Sequence, residues 1–302
     1  MTSTVSIEQY TVADGESGPY AITTGPDGAL WFTMVRSGRI GRLVPGGEPA
    51  SHQLAAESGP TIIVNGPDGA LWFTEYRAHR VGRITTGGEI DEFELPTPES
   101  GPYGLAAGPD GALWFTETAA NQIGRITPDG QVREFPLPLA GAFPSAIVAG
   151  ADGGMWFTMN MANAIGRIDG DGEVTVHPLP TEAAGPVGIA SGPDGAICFV
   201  EIGAGQIGRI STDGKIEEFP LPDRAARPHA ITTGPDGAMW FTEWGANRVG
   251  SITAEGAIEV HDLPTPGSEP HGIALGPDGA LWTALEFGAL ARITVPTPEN
   301  DR

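Results

Sequence analysis

Residues 108–117 read GPDGALWFTE, and close variants of the first eight letters occur seven times along the 302-residue chain. These variants begin at Gly25, Gly66, Gly108, Gly150, Gly192, Gly234 and Gly276. The first two are 41 residues apart, and each later one follows its predecessor by 42 residues. A repeat of this length is typical of propeller blades and of solenoids, and the secondary structure within one unit distinguishes the two.

The third unit, residues 103–138, has the pattern of four short antiparallel strands. Its segments YGLAA, ALWFTE, NQIGRIT and QVREFPLP are separated by turns, two of which contain Asp-Gly. Asp-Gly pairs supply the positive φ angles that tight hairpins require, and the unit has no helical periodicity. We therefore predict an all-β fold, a seven-bladed β-propeller with four-stranded antiparallel blades, as a single domain over residues 1–302.

The two ends of the chain predict how the ring closes. The seventh unit stops after its third strand, LARITV at residues 290–295. The segment VSIEQYTV at residues 5–12 resembles the fourth-strand segment KIEEFPLP at residues 215–222. We expect the N-terminal strand to complete the last blade, which removes the open sheet edges.

Charge and cysteine content exclude some classes of partner. The formal net charge is -22, with 38 acidic and 16 basic residues, which argues against nucleic-acid or membrane-surface binding and favours cationic ligands. Cys198 is the single cysteine, so no internal disulfide forms, and a reducing compartment is indicated. The start MTSTVSIEQY does not resemble a signal peptide. We expect a soluble, cytoplasmic protein.

Tryptophan recurs at one position of six units, where we expect it to pack between blades. The set is Trp31, Trp72, Trp114, Trp156, Trp240 and Trp282. Cys198 takes the same position in the fifth unit, which predicts a buried structural thiol. The arginines of the recurring IGRI segment, such as Arg125 and Arg209, are expected to support the blades.

The histidines fall into different groups. His177 and His261 occupy the fourth-strand position that is Phe135 in the third unit, which predicts a structural role. His52 and His79 show no comparable partners. The two remaining histidines lie where the repeat departs from its own pattern.

Those departures indicate a functional site at one rim of the channel. In a propeller the first strand of each blade lines the central channel, and the residue after its initial proline lies at the rim. Around the ring this position is Tyr20, Thr61, Tyr103, Ser145, Val187, His229 and His271. The two histidines fall on neighbouring blades six and seven, and ring closure places Tyr20 of blade one beside them.

Two glutamates of blade seven are predicted to approach His271 on the same face. The residue before the proline is glycine in four blades, but it is Phe143, Arg227 and Glu269 in blades four, six and seven. Strand two runs antiparallel to strand one, so it ends on the face where strand one begins. Blade seven ends there as WTALE, which places Glu286 one residue beyond the usual last position.

These residue types suit metal-assisted proton transfer. The carboxylates of Glu269 and Glu286 suit a hard cation such as Mg²⁺, and His271 suits proton abstraction near neutral pH. A further set of strand-end glutamates recurs too often to be specific: Glu75, Glu117, Glu201 and Glu243. We expect them either to make the channel mouth acidic or to cap strands at the solvent edge.

The sequence resembles the virginiamycin B lyase (streptogramin B lyase) family over nearly the whole chain. The specific signal is the combination of RPHAI, EPHGI and WTALE with the repeat and the closing strand. The resemblance implies a Mg²⁺-dependent carbon–oxygen lyase that inactivates type B streptogramins, which are cyclic depsipeptides, by β-elimination at the ester. It further implies His271 as general base and Glu269 and Glu286 as Mg²⁺ ligands. It implies that His229 contacts substrate and that Tyr20 lies beside the site.

Two other classes of function stay open. A hydrolytic propeller of the regucalcin or paraoxonase type would gather Asp, Asn and Glu around Ca²⁺, but the rim series contains no Asp or Asn. A non-catalytic NHL-type binding propeller would keep the repeat without metal-linked activity. We expect a monomer whose partner is a small cyclic depsipeptide. The rim aromatics would suit such a macrocycle: Tyr20, Tyr103, Phe143 and Trp244.

Overall fold

A computed structural model describes residues 4–296. Within this range the chain forms 28 β-strands, arranged in seven four-stranded antiparallel sheets, and no helix. No described segment could therefore cross a membrane as a long apolar helix. The bounds of the strands follow the predicted repeat closely.

The inner half of each blade consists of its first and second strands. The innermost strands are β2 (Pro19–Thr24), β6 (Pro60–Asn65), β10 (Pro102–Ala107), β14 (Pro144–Ala149), β18 (Pro186–Ser191), β22 (Pro228–Thr233) and β26 (Pro270–Leu275). The second strands are β3 (Leu30–Met34), β7 (Leu71–Glu75), β11 (Leu113–Glu117), β15 (Met155–Met159), β19 (Ile197–Glu201), β23 (Met239–Glu243) and β27 (Leu281–Leu285).

The outer half of each blade consists of its third and fourth strands. The third strands are β4 (Arg39–Leu43), β8 (Arg80–Ile84), β12 (Gln122–Ile126), β16 (Ala164–Ile168), β20 (Gln206–Ile210), β24 (Arg248–Ile252) and β28 (Ala289–Thr294). The fourth strands are β5 (Ala50–Gln53), β9 (Ile90–Glu94), β13 (Val132–Pro136), β17 (Val174–Pro178), β21 (Ile216–Pro220), β25 (Ile258–Asp262) and, for blade seven, β1 (Ser6–Thr11).

The seven sheets form a closed ring. Each innermost strand contacts the innermost strands of both neighbouring blades, and β26 contacts β2. Strand β1 pairs antiparallel with β28, from Ser6 opposite Thr294 to Thr11 opposite Ala289. The predicted seven-bladed propeller and its closure by the N-terminal strand are therefore confirmed.

The core lies between blades, and the repeat residues hold it together. In blade three, Trp114 is buried and its indole Nε1 donates to Asp110 Oδ1 at 3.1 Å. Arg125 Nε donates to the other oxygen of Asp110 at 2.6 Å. One aspartate of the GPDG turn thus ties together the second and third strands, which explains why Trp, Arg and Asp recur together. Cys198 is buried at the tryptophan position of blade five, as predicted.

A fourth-strand ring stacks on the tryptophan of the same blade. Phe135 lies 5.6 Å from Trp114 between ring centroids, at an interplanar angle of 14°. His177 and His261 stack on the tryptophans of blades four and six in the same way, which confirms their structural role. His52, which the sequence assigned to no group, belongs to this set because it stacks on Trp31 at 5.8 Å.

Candidate active site

Each innermost strand begins with a β-bulge that contains the residue after the proline. Between β26 and β27 the register shifts between Pro270 and Ile273, so His271 lies within the bulge. The same shift occurs at Tyr20 in blade one and at His229 in blade six. Bulges reorient side chains locally. We call the side of the ring where the innermost strands begin the site face.

The structure brings the predicted rim residues of blades one, six and seven together. The rings of Tyr20 and His271 lie 4.5 Å apart between centroids, and those of His229 and His271 lie 4.7 Å apart. Tyr20 Oη lies 3.4 Å from His229 Nε2 and also hydrogen-bonds to the hydroxyl of Tyr103. Below this cluster the innermost strands enclose a cavity of about 330 Å³, so the cluster occupies the mouth of the channel.

The carboxylates predicted on blade seven adjoin this cluster. Glu286 Oε1 lies 3.5 Å from His271 Nε2, and Glu286 Oε2 accepts a hydrogen bond from Arg36 Nη2 at 2.8 Å. The pKa of Glu269 is raised, chiefly through a hydrogen-bonding interaction with the Glu286 carboxyl. The two carboxyls are therefore neighbours, and His271 faces them.

Burial keeps both histidines neutral. Desolvation lowers the pKa of His271 to about 4 and that of His229 to about 3. His271 is 7% exposed, and within residues 4–296 neither of its ring nitrogens has a hydrogen-bond partner. A neutral imidazole whose nitrogens have no hydrogen-bond partner keeps a lone pair that can accept a proton.

The residue before each rim proline adopts a left-handed backbone. In blades one, two, three and five it is glycine, with φ between 60° and 65°. In the other three blades it is Phe143, Arg227 and Glu269, with φ of 54°, 52° and 50°. A non-glycine residue in this conformation costs about 1 kcal/mol. Six other non-glycine residues also have positive φ, so the conformation alone does not mark a functional residue. What distinguishes Phe143, Arg227 and Glu269 is that four blades have glycine at the equivalent position.

Sequence reasoning missed Arg36 and Thr242. Arg36 joins the site from blade one through its ion pair with Glu286. Thr242 Oγ1 donates to the carbonyl oxygen of His271 at 2.9 Å and accepts from the amide of Ala230 at 3.0 Å. Threonine occupies the Thr242 position in five blades, with Val200 in blade five and Ala284 in blade seven, so Thr242 follows the repeat and does not stand out. Arg36 lies two residues after β3, in the loop that corresponds to that of Glu286 in blade seven, and an alignment of these loops would have placed it on the site face.

The recurring strand-end glutamates do not line the channel mouth, and they do not cap strands at the solvent edge. All four are fully buried within their blades: Glu75, Glu117, Glu201 and Glu243. Burial raises the pKa of Glu75, Glu117 and Glu201 to about 7. Both sequence expectations for this set were therefore wrong, because the second strands end beneath the loops of the site face.

The donor set of the site fits Mg²⁺. Among the described side chains no group of three His, Cys, Asp or Glu is arranged to hold a metal ion. Mg²⁺ does not require such a group, because it commonly keeps several waters and binds through one or two carboxylates. The adjacent carboxyls of Glu269 and Glu286 meet that requirement, and the raised pKa of Glu269 indicates two like charges that a cation would relieve.

Comparison with known proteins agrees with this geometry. The sequence model of the Virginiamycin B lyase family matches residues 5–293. The crystal structure of selenomethionine-substituted virginiamycin B lyase from Staphylococcus aureus is 42% identical, covers 97% of this chain and 100% of that chain, and superposes with a TM-score of 0.93. A catalytically inactive histidine-to-alanine variant of the S. aureus enzyme, with quinupristin, gives the same identity, coverage and TM-score.

A curated relative matches over a shorter segment. Virginiamycin B lyase of Saccharopolyspora erythraea is 66% identical over 53 residues, which is 18% of this chain and 18% of that protein. This match therefore covers less than a fifth of the relative's length.

Proposed function

The chain belongs to the virginiamycin B lyase family, and on this premise we propose that it inactivates type B streptogramin antibiotics by opening their ring. One observation carries the proposal. His271 is a buried, neutral imidazole with both nitrogens free, and it faces two carboxyls and a tyrosine at the channel mouth. This arrangement suits removal of a carbon-bound proton from a ligand at the mouth.

The proposed reaction is a β-elimination at the ester that closes the macrocycle. The ester joins a threonine side-chain oxygen to a carboxyl group. When the threonine Cα–H bond breaks, its electron pair forms a Cα=Cβ double bond, and the Cβ–O bond breaks with its pair going to the carboxylate. The proton passes to His271. The products are an unsaturated residue and a free carboxylate, so the enzyme is a carbon–oxygen lyase and no water is consumed.

The neighbouring residues have distinct tasks in this reaction. His229 and Tyr20 flank His271 and contact the substrate, and their rings hold the imidazole in place. No hydrogen bond within the described chain engages either ring nitrogen of His271. The rim aromatic rings exclude water from the reacting centre, which strengthens the electrostatic interactions there.

Glu269 and Glu286 would hold the Mg²⁺ ion. When bound, the ion supplies Lewis-acid stabilisation of the negative charge that develops on the substrate carbonyl oxygen. Arg36 keeps one oxygen of Glu286 oriented at 2.8 Å. The family match supports this enzyme over a non-catalytic binding propeller.

The proposal is tested by incubating the protein with a type B streptogramin and Mg²⁺ and measuring loss of the intact antibiotic. We expect inactivation that EDTA abolishes, and a loss of at least about 100-fold in kcat for His271→Ala. His177→Phe is the matched control, since Phe135 fills the same position in blade three, and it should keep full activity. Absence of inactivation by folded, Mg²⁺-loaded protein would contradict the proposal.

A further inference from the structure

Three large apolar side chains are exposed together on the site face of blade four. Leu139, Phe143 and Met161 are 38%, 44% and 71% exposed. Leu139 and Phe143 lie in the loop that enters the innermost strand β14, and Met161 lies in the loop that leaves β15. We call these residues the blade-four patch. Single exposed apolar side chains are ordinary, but several on one small surface commonly mark a ligand-binding or interaction site.

Hydrogen bonds hold the loops of this patch in place. The amide of Asn160 donates to the carbonyl of Phe143 at 3.2 Å, and the amide of Met161 donates to the carbonyl of Ala142 at 3.1 Å. Asn121 Nδ2 donates to the carbonyl of Leu139 at 2.8 Å. The apolar groups are therefore presented on a preformed backbone, as in a small-molecule binding site.

Phe143 occupies the position before the rim proline, as Arg227 and Glu269 do in blades six and seven. Its φ of 54° is left-handed, and the equivalent residue is glycine in four blades. The two other blades with a side chain at this position carry Arg227 and Glu269, which adjoin His229 and His271. An exposed phenylalanine in a left-handed conformation does nothing for the fold, because glycine would serve better at this position.

The loops of the patch are also uncharged in a strongly acidic chain. The segments 137–143 and 160–163 contain no Asp, Glu, Lys, Arg or His. In each of the six other blades of the described chain, the corresponding two loops contain at least one charged residue. The surface therefore suits an uncharged, apolar group and not an ion or a charged peptide.

Blade four lies across the ring from blade seven, with two blades between them on one side and three on the other. A ligand that touches both His271 and Phe143 must span the channel mouth. We propose that the blade-four patch is an apolar subsite that binds a hydrophobic side chain of the macrocyclic substrate while the ester lies at His271. This inference rests on the proposed function and adds a determinant of substrate specificity to it.

The test is Phe143→Gly, compared with Val44→Gly. Val44 is also 44% exposed, but it follows strand β4 on the opposite face. Glycine suits the left-handed backbone at residue 143, so the melting temperature should stay within a few degrees of the unmodified protein. KM for a type B streptogramin should rise about tenfold with kcat nearly unchanged, because the contact is remote from the reacting bond. Val44→Gly should leave KM unchanged.

Direct binding separates this inference from the proposed reaction. The same antibiotic is titrated calorimetrically into His271→Ala and into the double variant with Phe143→Gly, both loaded with Mg²⁺. Weaker binding to the double variant supports the subsite, whether or not the unmodified protein shows turnover. Absence of turnover would contradict only the proposed reaction. Equal binding to the two variants, or no binding to either, overturns the subsite.

Discussion

The His271 imidazole has no hydrogen-bond partner within residues 4–296, so ring packing against Tyr20 and His229 and the hydrogen bonds of its backbone position it. The bulge of β26 directs the side chain to the channel mouth, and Thr242 fixes the peptide carbonyl at 2.9 Å. The same hydroxyl accepts from the Ala230 amide beside His229. Thr242 thus couples the two histidine strands, and we assign it as a positioning residue.

Removing the Thr242 hydroxyl should impair the base without disrupting the fold. Val200 fills this position in blade five and is fully buried, so Thr242→Val fits the site sterically. We expect kcat for streptogramin opening to fall about tenfold with a smaller change in KM through His229, since the hydroxyl contacts the strands of both histidines. Thr116→Val is the control, because Thr116 donates to Ser145 far from His271. Equal losses of kcat in the two variants would contradict the assignment.

The positive charge of Arg36 should weaken the binding of a divalent cation at Glu269 and Glu286. Its guanidinium lies 2.8 Å from Glu286, and a positive charge at that distance opposes a second cation. We expect Arg36→Gln to tighten Mg²⁺ binding about three- to tenfold, measured by calorimetry with the metal alone. Arg77→Gln is the control, since Arg77 packs over Gly59 as Arg36 packs over Gly18. Unchanged or weaker binding by Arg36→Gln would contradict this prediction.

At the residue scale, the sequence revealed the groups that break the repeat. Tyr20, His229 and His271 stood out because equivalent positions in other blades carry different residues. Arg36 did not, because its partner lies 250 residues away and the contact exists only in the closed ring. The roles assigned to these residues stay predictions until variants are measured.

At the scale of the strand, buried carboxyls impose a pH dependence on stability. Burial raises the pKa of Glu117 to about 7, whereas an unfolded glutamate titrates near 4.3. Between these values the folded chain binds more protons than the unfolded chain, so the contribution of Glu117 to stability falls as pH rises. The stabilising contribution of protonated Glu117 is fully present below the unfolded pKa and is lost as the pH rises to about 7.

Replacing Glu117 by glutamine should remove that dependence. The amide keeps a hydrogen bond with Gln122, which now donates to Glu117 Oε1 at 3.2 Å. We expect Glu117→Gln to raise the free energy of unfolding by about 1–3 kcal/mol at pH 8 and to change it little at pH 4. Urea or thermal unfolding across this pH range measures the difference.

Glu243→Gln provides the contrast. Arg248 Nε donates to Glu243 at 2.8 Å, so the buried carboxylate has a partly buried guanidinium as its partner, and glutamine would leave Arg248 with the exposed Asp223 as its remaining charged partner. We expect Glu243→Gln to destabilise the protein at pH 8. Stabilisation by both variants, or by neither, would contradict the account of the buried glutamates.

The positions of the strands were predictable from the sequence, but the bulges and the burial of the strand-end glutamates were not. Turn residues and apolar alternation placed the third unit's four strands close to the bounds found, such as β11 at Leu113–Glu117. The bulge at each rim position was not predictable, because a register shift depends on which residues pair across two strands. Burial of the strand-end glutamates depends on the loops that cover them, and local sequence does not specify this covering.

At the scale of the molecule, ring closure creates the site. His271 and Tyr20 lie at opposite ends of the chain, yet their rings lie 4.5 Å apart. Strand β1 completes the last blade through six residue pairs with β28, and Tyr10 packs on Trp282 at 5.3 Å. The seven-fold repeat was enough to predict this closure, because every unit but the last contains its own fourth strand.

Deleting the closing strand should therefore disrupt both stability and the site. Removing residues 1–11 leaves the edge of β28 unpaired, and an exposed edge strand promotes self-association. We expect a melting temperature at least about 10 °C lower and oligomers in size-exclusion chromatography with light scattering. Removing residues 1–4, which spares β1, should change neither. A monomeric truncated protein of normal stability would contradict the role of β1.

The most direct test of the central claim is the mass of the product formed in ¹⁸O-labelled water. A type B streptogramin would be incubated with the Mg²⁺-loaded protein in this solvent and analysed by mass spectrometry. An elimination with His271 as base predicts a linear product of the same mass as the antibiotic, without labelled oxygen. A product heavier by one labelled water molecule would show hydrolysis and contradict the proposed lyase.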